Sequence, residues 1–220
     1  MKRKKTLCAI CGINVATTDD HIPPKGLYPP PRDNNINMNT VPTCAQCNNG
    51  GSVDDEIFKV LIGIDTGEHQ KDSSRIVESL QATMIHNGRI ENQVRTSARR
   101  TYAQPNGAVL KPAVAITFDF TPYQRVVERI VRGLHWMQTG RALPAGSTVR
   151  VIPGNQLALP VATDIIELME LLPLKKLNKG TFAYRWHIPP DGEQIWGMQF
   201  FEHHTTFAFV NTLSDSTVTA

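Results

Sequence analysis

Three stretches of the chain have apolar residues spaced as on one face of an α-helix. The first begins at Ser52, which we expect to be the N-cap because acidic residues follow in the first turn. The second covers residues 72–86. The third runs from Thr121 to Gly140 with Thr121 as its predicted cap, and its core side is predicted to be Val126, Val127, Ile130, Val131, Leu134 and Met137.

Alternating aromatic residues near the end of the chain predict a β-sheet packed against other structure. They are Phe182, Tyr184 and Trp186, then Trp196 and Phe200, then Phe207 and Phe209. Earlier in the chain, the turn sequence Pro105-Asn106-Gly107 predicts that residues 98–104 pair with residues 108–118. The pattern therefore indicates an α+β fold in which helices are combined with an antiparallel sheet.

Composition narrows the class of protein only a little. The chain has 220 residues, a net charge of +3 and no apolar run as long as a membrane span. Its basic start lacks a following apolar segment, so we expect no secretory signal and a cytoplasmic location. The charge permits nucleic-acid binding without requiring it.

All four cysteines of the chain belong to two Cys-x-x-Cys pairs, Cys8 with Cys11 and Cys44 with Cys47. Each pair can present two thiolates to one metal, and two pairs complete the tetrahedral set that zinc prefers in closed, structural sites. Cysteines used in this way indicate a reducing compartment and bound metal, not disulfides. The sequence therefore predicts one structural Zn²⁺.

Oxygen and nitrogen groups of the kind found in hydrolytic metal sites lie beside these pairs. Asp20 and His21 stand between them, and Asn48 follows Cys47 directly. Neighbouring side chains on a regular strand point to opposite faces, so we expect the strand to end or distort at Asp20-His21. The stretch thus predicts a structural metal site with soft sulfur ligands and a catalytic metal site with hard oxygen ligands.

Residues 8–48 resemble the HNH, or ββα-metal, endonucleases, in which a zinc knuckle pair pins two strands and a helix. In that family an acidic residue or histidine precedes the catalytic histidine, an asparagine follows in the middle, and histidine or asparagine comes after the last cysteine. The matching residues are Asp20, His21, Asn39 and Asn48. The resemblance covers about the first quarter of the chain, and no family is recognised in residues 66–220.

The resemblance implies a role for each matched residue. His21 would be the general base, and Asp20 and Asn48 would hold one Mg²⁺ or Mn²⁺ ion. Asn39 would orient the segment that contains His21. By the same analogy the chain would be a prokaryotic or phage endonuclease, with DNA as a more expected substrate than RNA.

One departure from the family pattern, one predicted loop and one domain boundary complete this expectation. Gly50-Gly51 falls where the family helix continues, so we expect the helix either to break there or to be delayed to Ser52. Residues 22–38 are rich in proline and asparagine and predict a long surface loop. The predicted domains are 1–65, an HNH-like zinc-stabilised nuclease domain, and 66–220, an α+β accessory domain that recognises a site, dimerises or binds a regulatory protein.

Basic residues outside the motif are candidates for phosphate contacts. Lys25 and Arg32 lie on the predicted loop, and each is explained equally well as an ordinary surface charge. Arg125, Arg129 and Arg132 form one stripe on the predicted helix, which would lie either along a nucleic-acid backbone or in solvent. The histidines at 187, 203 and 204 lack partners at metal-ligand spacing, so we expect them to be structural or exposed.

A non-catalytic protein remains the alternative. In that case the four cysteines would form a zinc module that binds nucleic acid or a protein partner, and His21 would have no chemical role. The two hypotheses differ in whether Asp20, His21 and Asn48 lie together.

Overall fold

The N-terminal part of the chain forms a pair of short strands followed by two helices. The computed structural model describes residues 6–30, 38–66, 74–103, 111–157 and 159–212. Strand β1 (Thr18–His21) pairs antiparallel with β2 (Thr40–Thr43). Helix α1 (Ala45–Asn49) and helix α2 (Ser52–Thr66) follow.

The predicted helix break at the glycine pair is confirmed, because α1 ends before Gly50 and α2 begins at Ser52. The predicted cap is displaced by one residue. The carbonyl of Gly51 already accepts the N–H of Asp55, so Gly51 occupies the cap position and Ser52 is the first helical residue.

The middle of the chain adds two helices and a separate two-stranded sheet. Helix α3 (Ser74–His86) confirms the prediction for residues 72–86, whereas α4 (Gly88–Ser97), capped by the Asn87 side chain, was not predicted. Strands β3 (Arg99–Ala103) and β4 (Lys111–Ala115) pair antiparallel, as predicted. The predicted turn at 105–107 lies outside the described residues.

The long helix α5 (Phe120–Thr139) is the central element of the core. Its predicted apolar face is buried, with Val126, Val127, Ile130, Val131 and Leu134 all at 0 % exposure. The predicted cap is wrong, because the N-cap is Asp119 and not Thr121. The carboxylate of Asp119 accepts the N–H of Thr121 at 2.9 Å. Gly140 ends the helix with a φ of 69°, a left-handed conformation that glycine adopts without strain.

The C-terminal part forms a five-stranded antiparallel sheet. The predicted aromatic strands are confirmed, and Phe182, Tyr184, Trp196 and Phe200 are each at most 1 % exposed. Helix α6 (Leu159–Glu170) packs its Met169 over Gly197 of this sheet. The strands are β5 (Thr148–Pro153), β6 (Leu174–Leu177), β7 (Phe182–His187), β8 (Gln194–Phe200) and β9 (His204–Asn211). They lie in the order β5-β9-β8-β7-β6.

The proline-rich segment after β1 is not entirely a surface loop, so that prediction is wrong for its first half. Ile22 and Leu27 are 1 % exposed and Tyr28 is 5 % exposed, and residues 25–27 form a 3₁₀ turn. Gly133 of α5 leaves the room for Ile22, because a Cβ there would lie 2.6 Å from Ile22 Cγ1. Apolar burial therefore overrides the turn-forming composition of this segment.

One buried cluster contains side chains from both predicted domains, among them Ile22, Phe58, Val127 and Tyr184. The division at residue 65 stays a prediction, but the two parts are packed together through this core. Among the described residues, no helix combines the length and apolar character needed to cross a membrane.

His204 links three elements of the fold, in agreement with the expectation that it is structural. Its Nδ1 lies 2.6 Å from Asp65 Oδ2 at the end of α2, and its Nε2 lies 2.7 Å from the Tyr123 hydroxyl of α5. The hydrogen bond with His204 lowers the pKa of Asp65 below its usual value. The ionised carboxylate is therefore favoured in the folded state.

Replacing Asp65 by asparagine is expected to lower the free energy of unfolding at pH 7 by about 1 kcal/mol. Hydrogen bonds to charged groups contribute roughly 1.5–3 kcal/mol, and partial exposure of this carboxylate reduces the effect. Because the folded pKa is depressed, the contribution is present above the unfolded pKa of about 3.9 and is lost as pH falls through the folded value. Urea unfolding between pH 3 and 7 measures this, with Asp164→Asn on the exposed face of α6 as the control. A difference from the parent that did not change with pH would contradict the prediction.

Candidate functional site

The four cysteines come together as predicted. Their sulfur atoms all lie within 4.8 Å of one another, which is close enough to hold one metal ion. Cys8 and Cys44 are buried, whereas Cys11 and Cys47 are half-buried. Four sulfur ligands fit a closed, structural zinc site, since they leave no position open for a substrate.

Tight backbone turns bring each cysteine pair into position. In the first turn, the carbonyl of Cys8 accepts the N–H of Gly12, whose φ of 69° favours glycine. In the second, the carbonyl of Cys44 accepts the N–H of Asn48 at 3.1 Å as α1 begins. The N–H of Ala9 donates to the Pro42 carbonyl at 2.8 Å, which joins the two turns.

The hydrogen bonds around Cys44 favour its thiolate form. The backbone N–H of Cys47 is the main cause that lowers the pKa of Cys44 to about 6. The side-chain amide of Asn14 also donates to the Cys44 sulfur, at 3.7 Å. Thiolate is the form that binds metal, so the surroundings of Cys44 are suited to a metal ligand.

Asp20 and His21 end strand β1, which meets the expectation that the strand stops at this pair. Asp20 is 9 % exposed, and its Oδ1 accepts the backbone N–H of His21 at 2.8 Å. His21 is half-buried, opposite Thr40 of β2. The next residue, Ile22, leaves the strand and enters the core.

The two asparagines of the predicted site lie close to this strand end. The side-chain amide of Asn48, on α1, donates to the backbone carbonyl of Asp19 at 3.4 Å. Asn39 stands directly before β2, and its backbone carbonyl accepts the N–H of Ile22 at 2.9 Å. The packing thus brings Asn48 to the end of β1. The orienting role predicted for the Asn39 side chain stays a prediction.

Two further residues complete the site: Arg129, which the sequence suggested only as a phosphate contact, and Asp55, which was not a candidate. Arg129 reaches out of α5, with its Nε 3.3 Å from Asp20 Oδ2, and its Nη2 contacts Asp55 Oδ1 of α2. Gly51 makes this approach possible, because a Cβ there would overlap the guanidinium of Arg129. The glycine pair that breaks the helix was the available signal, since a side chain at Gly51 would have closed this space.

Burial and the charge of Arg129 shift the pKa values of Asp20 and Asp55 in opposite directions. Burial raises the pKa of Asp20, and the charge of Arg129 opposes that rise. Burial also raises the pKa of Asp55 to about 6, again against the effect of Arg129. Removing Arg129 would therefore leave two poorly solvated carboxylates side by side.

The predicted basic stripe on α5 is not one exposed surface, so this prediction is wrong. Arg129 and Arg132 are 8 % and 9 % exposed, and Arg132 donates to Glu128 Oε1 and to the Ser147 carbonyl. The Arg125 side chain is 64 % exposed and lies 3.5 Å from Asp54. The three arginines do share one side of α5, but carboxylates of β1, α2 and α5 itself pair with them.

The other two candidate phosphate contacts are less informative. Lys25 is exposed at the start of the 3₁₀ turn, which is compatible with either of its predicted roles. Arg32 lies outside the described residues.

Comparison of the chain with models of known protein families, with curated proteins and with solved structures gave no match. The site is therefore interpreted from its own residues.

Proposed function

We propose that the chain is a metal-dependent endonuclease that hydrolyses phosphodiester bonds in nucleic acid, DNA more than RNA. Its N-terminal part would be a zinc-stabilised ββα-metal unit of the HNH type. The observation that carries this proposal is one juxtaposition: Asp20 and His21 end β1, and the amide of Asn48 on α1 lies 3.4 Å from the carbonyl of Asp19. Both elements are tied to the four-cysteine cluster.

Hydrolysis of a phosphodiester requires a base for the attacking water and stabilisation of the charge on the phosphate. His21 is the candidate base, because neutral imidazole accepts a proton near neutral pH. The bond between Asp20 Oδ1 and the His21 N–H ties the conformation of the carboxylate to that of the histidine backbone. The side chain of Asn39 would hold the His21 segment in place.

Asp20 and Asn48 fit a Mg²⁺ or Mn²⁺ ion by the chemistry of their donors. A carboxylate and an amide offer hard oxygen ligands, and two of them suffice because Mg²⁺ retains several waters. Asp20 Oδ2 is buried and accepts no hydrogen bond within the described part of the chain. When bound, such an ion would neutralise the phosphate and stabilise the leaving 3′-oxygen.

A non-catalytic zinc module remains the second candidate, and one observation favours it. Both oxygens of Asp20 already face partners, Oδ1 the His21 N–H and Oδ2 the Arg129 guanidinium. A carboxylate paired with a guanidinium in this way needs no metal to offset its charge. The chain would then bind nucleic acid or a protein without cutting it.

The proposal is tested by incubating the purified protein with supercoiled plasmid and with RNA. We expect nicking of the plasmid in Mg²⁺ or Mn²⁺, inhibition by EDTA, and slower cutting of RNA. Asp20→Asn, which removes a charge but little volume, serves as the inactive control. Binding of plasmid without any cutting in either metal would favour the zinc module.

A further inference from the structure

Arg129 is a largely buried arginine on helix α5. Its side chain is 10 % exposed and lies between Asp20 of β1 and Asp55 of α2, whose side chains are 12 % and 27 % exposed. It comes from α5, outside the segment that resembles a nuclease. The space for its guanidinium depends on Gly51 at the junction of α1 and α2.

The group formed by Asp20, Arg129 and Asp55 has a formal charge of −1 when all three are ionised. Two carboxylates without a cation between them would repel one another and would attract a divalent ion strongly. Hydrolases with two metals place two cations among their carboxylates for this reason. In this chain the guanidinium of Arg129 lies between the two carboxylates and contacts one oxygen of each.

We propose, resting on the nuclease function proposed above, that Arg129 is a positioning residue and the built-in counter-ion of this site. Its Nε lies 3.3 Å from Asp20 Oδ2, so its charge offsets that of the carboxylate that would hold the catalytic ion. Its charge also lowers the affinity of the site for divalent cations and restricts the site to one of them. The accessory region thereby supplies a part of the nuclease site.

The test is a charge series measured by Mn²⁺ binding, with free Mn²⁺ counted by electron paramagnetic resonance on zinc-loaded full-length protein. Arg129→Met changes the formal charge of the group to −2, Arg129→Lys keeps it at −1, and Asp55→Asn changes it to 0. We expect Mn²⁺ to bind about tenfold more tightly per added negative charge. One charge has roughly this effect on a divalent ion about 6 Å away in a water-like dielectric.

The rate of plasmid nicking is expected to depend on the guanidinium of Arg129 and not on the formal charge of the group. Arg129→Met should lose about 10²-fold in the maximal rate of plasmid nicking although it binds Mn²⁺ more tightly, because Asp20 is no longer held in position. Arg129→Lys should recover only part of that rate, since an ammonium cannot meet both carboxylates with a planar fork. A purely structural role would not separate metal affinity from rate in this way.

Two controls assign the effects to the site. Asp20→Asn must abolish the measured Mn²⁺ binding. Arg132→Met removes another buried, ion-paired arginine of α5 and should change neither the Mn²⁺ affinity nor the rate. If Arg129→Met does not fold, as judged by zinc content and melting temperature, the comparison of the parent with Arg129→Lys and Asp55→Asn decides the question.

The outcomes separate this proposal from the nuclease proposal. Weaker Mn²⁺ binding by folded Arg129→Met, or equal binding by the parent and Asp55→Asn, would overturn the counter-ion role even if the parent cuts DNA. If the affinities follow the charge series but the parent cuts neither DNA nor RNA, the counter-ion role stands and the nuclease proposal fails.

Discussion

Replacing His21 by alanine is expected to stop nucleic-acid cleavage while zinc content, fold and substrate binding stay unchanged. A general base acts only in the chemical step, so its loss should lower the rate and not the affinity. General-base catalysis contributes on the order of 10²–10⁴-fold, and this is the expected loss. Because His21 is half-buried at the end of β1, its truncation should cost little stability.

The matched comparison for His21→Ala is a magnesium titration of three neighbouring variants. Asp20→Ala and Asn48→Ala should weaken the cation site, so high Mg²⁺ should restore part of their activity and none of the activity of His21→Ala. Asn39→Ala should fall between them, because it disturbs the position of His21 without removing a reacting group. If His21→Ala nicks plasmid like the parent while EDTA stops both, another group must activate the water.

Replacing Cys44 by serine is expected to lower the zinc content and to destabilise the N-terminal part of the fold. Structural zinc contributes roughly 10–16 kcal/mol in small zinc-binding peptides, so losing one of four thiolate ligands should lower the free energy of unfolding by about 3 kcal/mol. Cleavage should be lost as well, because Cys44 directly precedes the helix that carries Asn48.

Zinc content by elemental analysis and chemical unfolding of the same samples measure this second prediction. Gln46→Ala, an exposed position between Cys44 and Cys47 on α1, is the matched control and should retain both zinc and stability. Parent protein that purifies without zinc, or Cys44→Ser that unfolds like the parent, would show that the cysteine cluster is not a structural metal site.

Patterns among residues close in sequence were sufficient to predict most helices and strands and the cysteine cluster. The Cys-x-x-Cys spacing places two sulfurs on one tight turn whatever the rest of the chain does. The apolar spacing of α3 and α5 and the alternation in β7 and β8 likewise depend on neighbours a few positions away. The helix break at Gly50-Gly51 follows from the low helix propensity of glycine, since Gly50 itself keeps a φ of −76°.

Predictions from composition were wrong where burial determined the local structure. The segment after β1 reads as a surface loop, yet Ile22, Leu27 and Tyr28 are buried against other elements. Helix α4 was missed because it has few apolar residues, and its start depends on the cap formed by Asn87. The sequence pattern shows how residues are spaced, but it does not show which surface they meet.

The sequence by itself determined the cysteine cluster, the candidate residues Asp20, His21 and Asn48, and most helices and strands. These depend on local spacing and on side-chain chemistry. Only the tertiary structure decided that Arg129 leaves the polar side of α5 to lie between Asp20 and Asp55, and that His204 bonds to Asp65. An ion pair between distant segments forms only when packing removes both charges from water and places them within reach, and no spacing along the chain encodes that encounter.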